Sequence, residues 1–458
     1  MRAARTSAAV ASGLLLAVVA AAPAAAVDDD DGMWYFTATG MDALHERTTG
    51  KGVQIAVIDT AIWPDAGDLA GTSVRVHEPS FCADGPMGKP LPAAQRTPDA
   101  AHGTNMTSLI VGTGKGEGGQ PGIRGVAPDA DVWFYSSLVG ERPDGTQTCY
   151  SATVEGMRYS YGAAIDQAVV DGADIISISL SSRLPLDYGP VGRALNAGVV
   201  VVAALADEAD HGYPWGYNGV VAVESLGPDV QARPGARPGA DVVAPGEAIR
   251  HLDDDLSSYH PKNGSSAATA FTAGALALVW SAYPEATGNQ IIQTLIRNTN
   301  AEDHELYHDP LTGYGIVNAR HMLEHDPTTY PDENPLLDDD PDSIPSVEML
   351  ENPELLDEDI TLRDSPRPET PGATATPSPD RTTTATQAPP SASGPDDADG
   401  GPGTPMLLAA GGGLLAVVVA AVAGLAARRR RTTTAHDGPP SPPSAAHESG
   451  SDPRDGGK

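Results

Sequence analysis

The chain has 458 residues, with 61 acidic against 28 basic side chains and a formal net charge of −33. An acidic surplus of this size favours solubility and repels polyanions, which excludes nucleic acid and anionic lipid surfaces as main partners. The length would allow two or three domains, but the composition is too uneven along the chain for that count, and both ends have to be set aside first.

At the N-terminus Arg2 and Arg5 precede an apolar run over residues 8–22, and Ala24-Ala25-Ala26 supplies the small side chains that a signal peptidase requires. Residues 1–26 are expected to be a cleaved signal peptide. The alternative, an uncleaved anchor, is disfavoured by a short core made mostly of alanine. From about residue 33 to residue 323, short β-branched runs alternate with longer alanine-rich segments, the pattern of βαβ units around a parallel sheet. Strands are expected at 53–58, 132–136, 175–180, 199–204 and 220–223, each apolar at nearly every position as a strand covered on both faces must be. A helix is expected over 163–170, stopped by an Asp171-Gly172 turn.

From His325 the chain becomes strongly acidic and then rich in Thr, Pro, Ser and Ala through Thr404. Such a composition buries too little apolar surface to offset its ordering entropy, so residues 326–404 are expected to form a disordered stalk. Residues 405–427 follow, uncharged and built from Leu, Val, Ala and Gly; the stretch spans roughly 33 Å as a helix, about one bilayer core. Arg428 to Arg431 come directly after it and mark a cytoplasmic side for the 428–458 tail, so everything from Val27 to the span is expected outside the cell. A buried core helix is the alternative, and the four-arginine stop argues against it.

Both cysteines, Cys82 and Cys149, lie in the outside portion. An even count in an oxidising compartment favours a disulfide, contributing roughly 4 kcal/mol in the entropic model, with two free thiols as the alternative. Neither cysteine has metal-ligand spacing nearby, and Asp65, Asp68 and Asp241 lack the spacing of a calcium cage and are expected as solvated surface. No metal or cofactor is called for.

Three pieces carry chemistry. The strand at 53–58 runs into Asp59-Thr60-Ala61, which puts an acid at a strand's carboxyl end, where open α/β sheets bind ligands. Alone it could equally start a turn or cap a helix. His102-Gly103-Thr104 begins a helix on which Met106, Leu109 and Ile110 share a face; the glycine allows another chain close to the histidine. Gly264-Ser265-Ser266-Ala267-Ala268 opens a long helix of small and apolar residues, where either serine could be an N-cap and where unpaired N–H groups face outward. The order Asp, His, Ser is one of three unrelated orders in which the same catalytic triad occurs.

Val57-Ile58-Asp59-Thr60, His102-Gly103-Thr104 and Gly264-Ser265-Ser266-Ala267-Ala268 resemble the three active-site motifs of the subtilisin family. Gly198 to Ala204, Val243-Ala244-Pro245-Gly246 and Gly313-Tyr314-Gly315-Ile316-Val317-Asn318-Ala319 are similar to its scaffold landmarks. The resemblance covers roughly residues 34–322 and implies a three-layer α/β peptidase domain, taken as residues 27–325, with a mostly parallel central sheet. It also implies a serine endopeptidase acting on protein or peptide substrates through Asp59, His102 and Ser266. The signal peptide, a lead-in too short for a folded chaperone propeptide, the stalk and the terminal span are similar to mycosins, membrane-anchored proteases associated with type VII secretion. Components of such a system are the partners this implies.

The resemblance also assigns the oxyanion donors, namely the Ser266 backbone N–H and a side chain that is usually asparagine but stands here as Asp207. An ionised carboxylate repels an oxyanion, whereas a protonated one donates, so activity is expected to be slowed. Ala61, Ser265, Ala270 and Ser181 depart from the family's glycine, threonine, proline and glycine; Ser179, Leu180 and Ser181 fall where substrate backbone pairs with the enzyme. Asn218 does not fit the donor motif. The rival expectation is an impaired pseudo-protease serving as a structural part of a secretion complex. A stalked binding module is a weaker one, since 5% aromatic residues give no visible binding face.

Overall fold

The computed structural model describes residues 31–357 apart from 86–87, 138–149, 152–160, 206–211 and 231–237. All of these belong to the first of two units, residues 1–369; the second, 370–458, lies outside the described residues. The expected signal peptide, membrane span and tail therefore fall outside them as well.

Seven parallel strands make the central sheet: β1 (Gln54–Asp59), β2 (Arg75–Val76), β3 (Asp131–Ser136), β4 (Ile175–Ile178), β5 (Val200–Ala204), β6 (Val221–Leu226) and β7 (Val242–Pro245). Their spatial order is β7-β6-β5-β4-β1-β3-β2. From β1 the chain lays β2 at one edge and β3 between them, then crosses to β4 on the other side of β1, so the order reverses between β1 and β4. Ligands bind outside the carboxyl ends at such a reversal.

The alternation of a strand decides which core each side chain joins. Ile55 and Val57 of β1, with Val200 and Val202 of β5, enter one core with helices α3 (Ala100–Val111), α6 (Ser265–Ala282) and α7 (Gly288–Arg297). Ala56 and Ile58, with Val201 and Ala203, enter the other with α4 (Gly162–Val170) and α5 (Tyr188–Asn196). This is the physical reason these strands carry no polar alternation: both faces are covered. Helix α6 is long and apolar enough to cross a membrane, yet 78% of it is buried within the protein. It is apolar all round because it packs against α3 and against β4 to β7 at once.

The expected strands are present with small shifts of bounds, and β2 and β7 add to them. Strand β2 is two residues long, too short for any period, and β7 was read only as a scaffold landmark. The lead-in folds as two short helices, α1 (Trp34–Ala38) and α2 (Met41–His45). They are held by Trp34 Nε1 donating to the Glu247 carbonyl at 2.9 Å and Tyr35 OH to the Arg124 carbonyl at 2.6 Å.

The stalk reading needs correction over its first part. Residues 326–357 are ordered against the domain, and Leu356 is fully buried against Gly192 of α5. Composition misled here because the segment is docked through its backbone. Asn218 Nδ2 donates to the carbonyls of Asp338 and Pro345, Asn196 to Leu350 and Gln293 to Glu333. The acids face solvent or, as with Asp357, pair with Arg193 at 3.0 Å.

Candidate active site

Asp59 ends β1 and its side chain is wholly buried. Its Oδ1 accepts from the Thr60 N–H and from His102 Nδ1, each at 2.6 Å. The ring therefore carries a proton on Nδ1 and turns Nε2 away from the carboxylate. His102 sits in the first turn of α3 with 36% of its side chain exposed.

The close approach of α3 to β1 depends on Gly103, since a Cβ there would lie 2.5 Å from the Ala61 carbonyl and 2.8 Å from Phe134. Its N–H donates to Thr60 Oγ1 at 3.0 Å. Thr60 thus locks the helix to the strand end, a role the sequence did not announce, because threonine after a strand is commonplace.

Ser266 is brought to the same place by a different route. The N-cap of α6 is Gly264, not a serine, and Gly264 is tied through its N–H to the Gly246 carbonyl beyond β7. Ser265 is buried and donates to the Leu205 carbonyl at 2.6 Å. Ser266, half-buried in the first turn, exchanges two hydrogen bonds with Ser179: Ser266 Oγ to the Ser179 carbonyl and Ser179 Oγ to the Ser266 carbonyl, both at 3.0 Å. Since β1 and β4 pair with Ile58 opposite Ile178, Asp59 and Ser179 leave neighbouring strands side by side, about 5 Å apart. The Asp59–His102 pair and the Ser266–Ser179 pair thus stand at the ends of neighbouring strands, at the reversal of strand order. The Ser266 hydroxyl lies within hydrogen-bond distance of the Ser179 carbonyl in this arrangement.

Around this centre the hairpin β8 (Ile249–Leu252) and β9 (Tyr259–Lys262) is pinned to α3 by Asn105, whose side chain donates to the Leu252 carbonyl and accepts from its N–H. The hairpin places His251 near His102, buried with Nδ1 donating to the Ile249 carbonyl at 2.7 Å. Burial pushes the His251 imidazole down to about 4, and the nearby His102 pushes the same way. Neither Asn105 nor His251 has a local signal in the sequence.

Of the remaining expected site residues, Ser179 is buried, Leu180 half-buried and Ser181 exposed, and the chain pairs again at Ser182 with Tyr213. Asn218 anchors the 338–345 segment, its side chain donating to the Asp338 and Pro345 carbonyls. Asp207 lies outside the described residues. Cys82 is disulfide-bonded, and Cys149, the other cysteine of the chain, lies outside the described residues. Asp68 corrects the expectation of solvated surface: it is fully buried, accepting from the Ile123 N–H and from the Tyr259 hydroxyl, and burial raises its carboxyl above the usual range.

A buried carboxylate holding an imidazole, next to a serine at the start of a buried helix on a parallel α/β sheet, is the equipment of a serine hydrolase. Residues 50–315 match the Subtilase family, peptidase S8. The thermostable alkaline protease of Halalkalibacterium halodurans is 30% identical over 281 residues, 59% of this chain and 67% of that protein. Subtilisin E of Bacillus subtilis is 28% identical over 300 residues, 61% of this chain and 68% of that protein. Among solved structures, MycP1 from Mycobacterium smegmatis shares the fold with a TM-score of 0.50 and 21% identity, over 67% of this chain and 86% of that one. The chain belongs to the subtilase family. It is a subtilisin-like serine endopeptidase.

Proposed function

We propose that this chain is a membrane-anchored extracellular protease that cleaves peptide bonds through Asp59, His102 and Ser266. The observation that carries this reading is the 2.6 Å hydrogen bond from His102 to the buried Asp59, set at the strand end beside the opening of α6.

Ser266 Oγ attacks the scissile carbonyl while His102 Nε2 removes its proton; the ring then returns that proton to the leaving amine, and water completes hydrolysis of the acyl-enzyme by the same relay. Asp59 keeps the proton on Nδ1 and stabilises the imidazolium. Its second oxygen, Oδ2, is buried and without a hydrogen-bond partner among the described residues, and a positive ring compensates that buried acceptor in the charged step. Substrate binding redirects the Ser266 hydroxyl from Ser179 to the ring, in keeping with catalytic hydrogen bonds that tighten only in the complex. The Ser266 N–H, in the first turn of α6 and without an intrahelical acceptor, faces the oxyanion.

Asp207 acts as the second donor when it holds a proton. Loss of such a donor costs about 10²–10³ in kcat, a magnitude carried over from another subtilisin. Asp207→Asn is therefore expected to raise kcat on a peptide substrate at neutral pH by up to about 10²–10³ and to flatten an acid-side optimum. An unchanged pH profile in that variant contradicts the assignment.

Anchoring rests on the sequence alone, on the 405–427 span and the arginines after it. The likeness of stalk and span to mycosins supports work within a type VII-like secretion complex. A second reading, a docking component without turnover, is favoured by Asp207 at the oxyanion-donor position. It requires that Ser266→Ala leave secretion intact in cells while deletion of the chain stops it; equal phenotypes remove this reading.

A further inference from the structure

At the end of the matched family region, Asp303 within it and His321 and His325 just beyond it converge, and the proteolytic site uses none of the three. His321 lies in the short helix Ala319–Met322, His325 one turn beyond, and Asp303 in the loop after α7. Each offers one ligand atom, and these atoms all lie within 4.8 Å of one another, the one such group among the described residues.

The hydrogen bonds determine what those atoms are. His321 Nδ1 donates to the Thr299 carbonyl at 3.2 Å and His325 Nδ1 to the His321 carbonyl at 3.0 Å. A carbonyl only accepts, so both protons sit on Nδ1, and a neutral ring then presents a lone pair at Nε2. Both Nε2 atoms face Asp303 Oδ1, at 3.0 Å from His321 and 3.5 Å from His325. With both rings neutral the three acceptors repel, so either a proton on an imidazole or a metal cation draws them together.

We propose that Asp303, His321 and His325 form a binding site for a divalent transition metal of the Zn²⁺ type, with water as the fourth ligand. Tetrahedral zinc with bonds of about 2.0–2.1 Å sets its ligand atoms roughly 3.3 Å apart, between the two separations found here. Carbonyl acceptors on the far ring nitrogens are the outer contacts that orient histidine ligands. Imidazole donors select against Ca²⁺ and Mg²⁺. His321 is 4% exposed and held in place, while the Asp303 side chain is 85% exposed, so the fourth position opens to solvent. The metal ties the loop after α7 to the point where the chain leaves the domain for the docked 326–357 segment. In the sequence the aspartate stands apart from an i, i+4 histidine pair, a spacing too loose to form a motif.

The test is titration of the chelator-stripped full-length chain with ZnCl₂ at neutral pH, followed by calorimetry and thermal melting. One tight equivalent per chain with a raised Tm is expected, CaCl₂ giving neither. Asp303→Asn and His325→Gln, both outside the core, are expected to weaken Zn²⁺ binding about tenfold or more and to lose the Tm gain while melting like the metal-free wild type. Absence of a stoichiometric equivalent, or its retention in both variants, overturns the site. Peptidase activity is independent of either result, so failure here is distinct from failure of the proteolytic assignment.

Discussion

The Asp59–His102 contact is the residue on which the chemistry turns, because it selects the tautomer. Replacing Asp59 by Asn preserves the shape but presents the ring with a donor, so Nε2 becomes protonated and cannot accept from Ser266. Asp59→Asn is expected to lower kcat on a peptide substrate by about 10⁴ with little change in KM, a loss within tenfold contradicting the role. Asp59, His102 and Ser266 each stand in a compact motif that the sequence displays, and the first two are hydrogen-bonded to each other in the fold. What was not legible is how they are held. Thr60 and Asn105 act through hydrogen bonds to backbone remote in the chain, and such partners leave no local periodicity. The exchange between Ser179 and Ser266 was likewise hidden, since it exists only once the start of α6 packs at the end of β4.

At the scale of elements, the hairpin beside α3 builds an acid sensitivity into the domain. His251 titrates near 6.5 when unfolded and near 4 when folded, so the unfolded chain binds its proton first as pH falls. Its contribution is complete above about pH 6.5 and is lost progressively toward pH 4, by about 3 kcal/mol at the limit. His251→Gln, which can still donate to the Ile249 carbonyl, is expected to reduce the fall in unfolding free energy between those pH values; equal falls in wild type and variant contradict it. The docked segment gives a second test. Leu356 is fully buried on α5, and Leu356→Ala is expected to cost about 2–5 kcal/mol of docking and to expose residues 338–357 to limited proteolysis. Unchanged protection there would show that the backbone bonds alone hold the segment. The strands of the sheet were readable from their unbroken apolar runs, whereas this segment was not, because docking through asparagine and glutamine side chains onto carbonyls has no compositional signature.

For the whole molecule, the fold explains how a single peptidase domain brings its chemistry to one edge of the sheet. The strand carboxyl ends gather the chemistry on one side of the sheet, while α6, apolar enough to be mistaken for a membrane span, is the core helix that presents Ser266. Everything rests on Ser266 being a nucleophile activated by His102. A fluorophosphonate probe measures this directly, by covalent labelling of the purified chain followed by peptide mapping. Labelling at Ser266 that disappears in Ser266→Ala and rises in Asp207→Asn is the predicted result. No labelling of the wild type at neutral or mildly acidic pH contradicts the account.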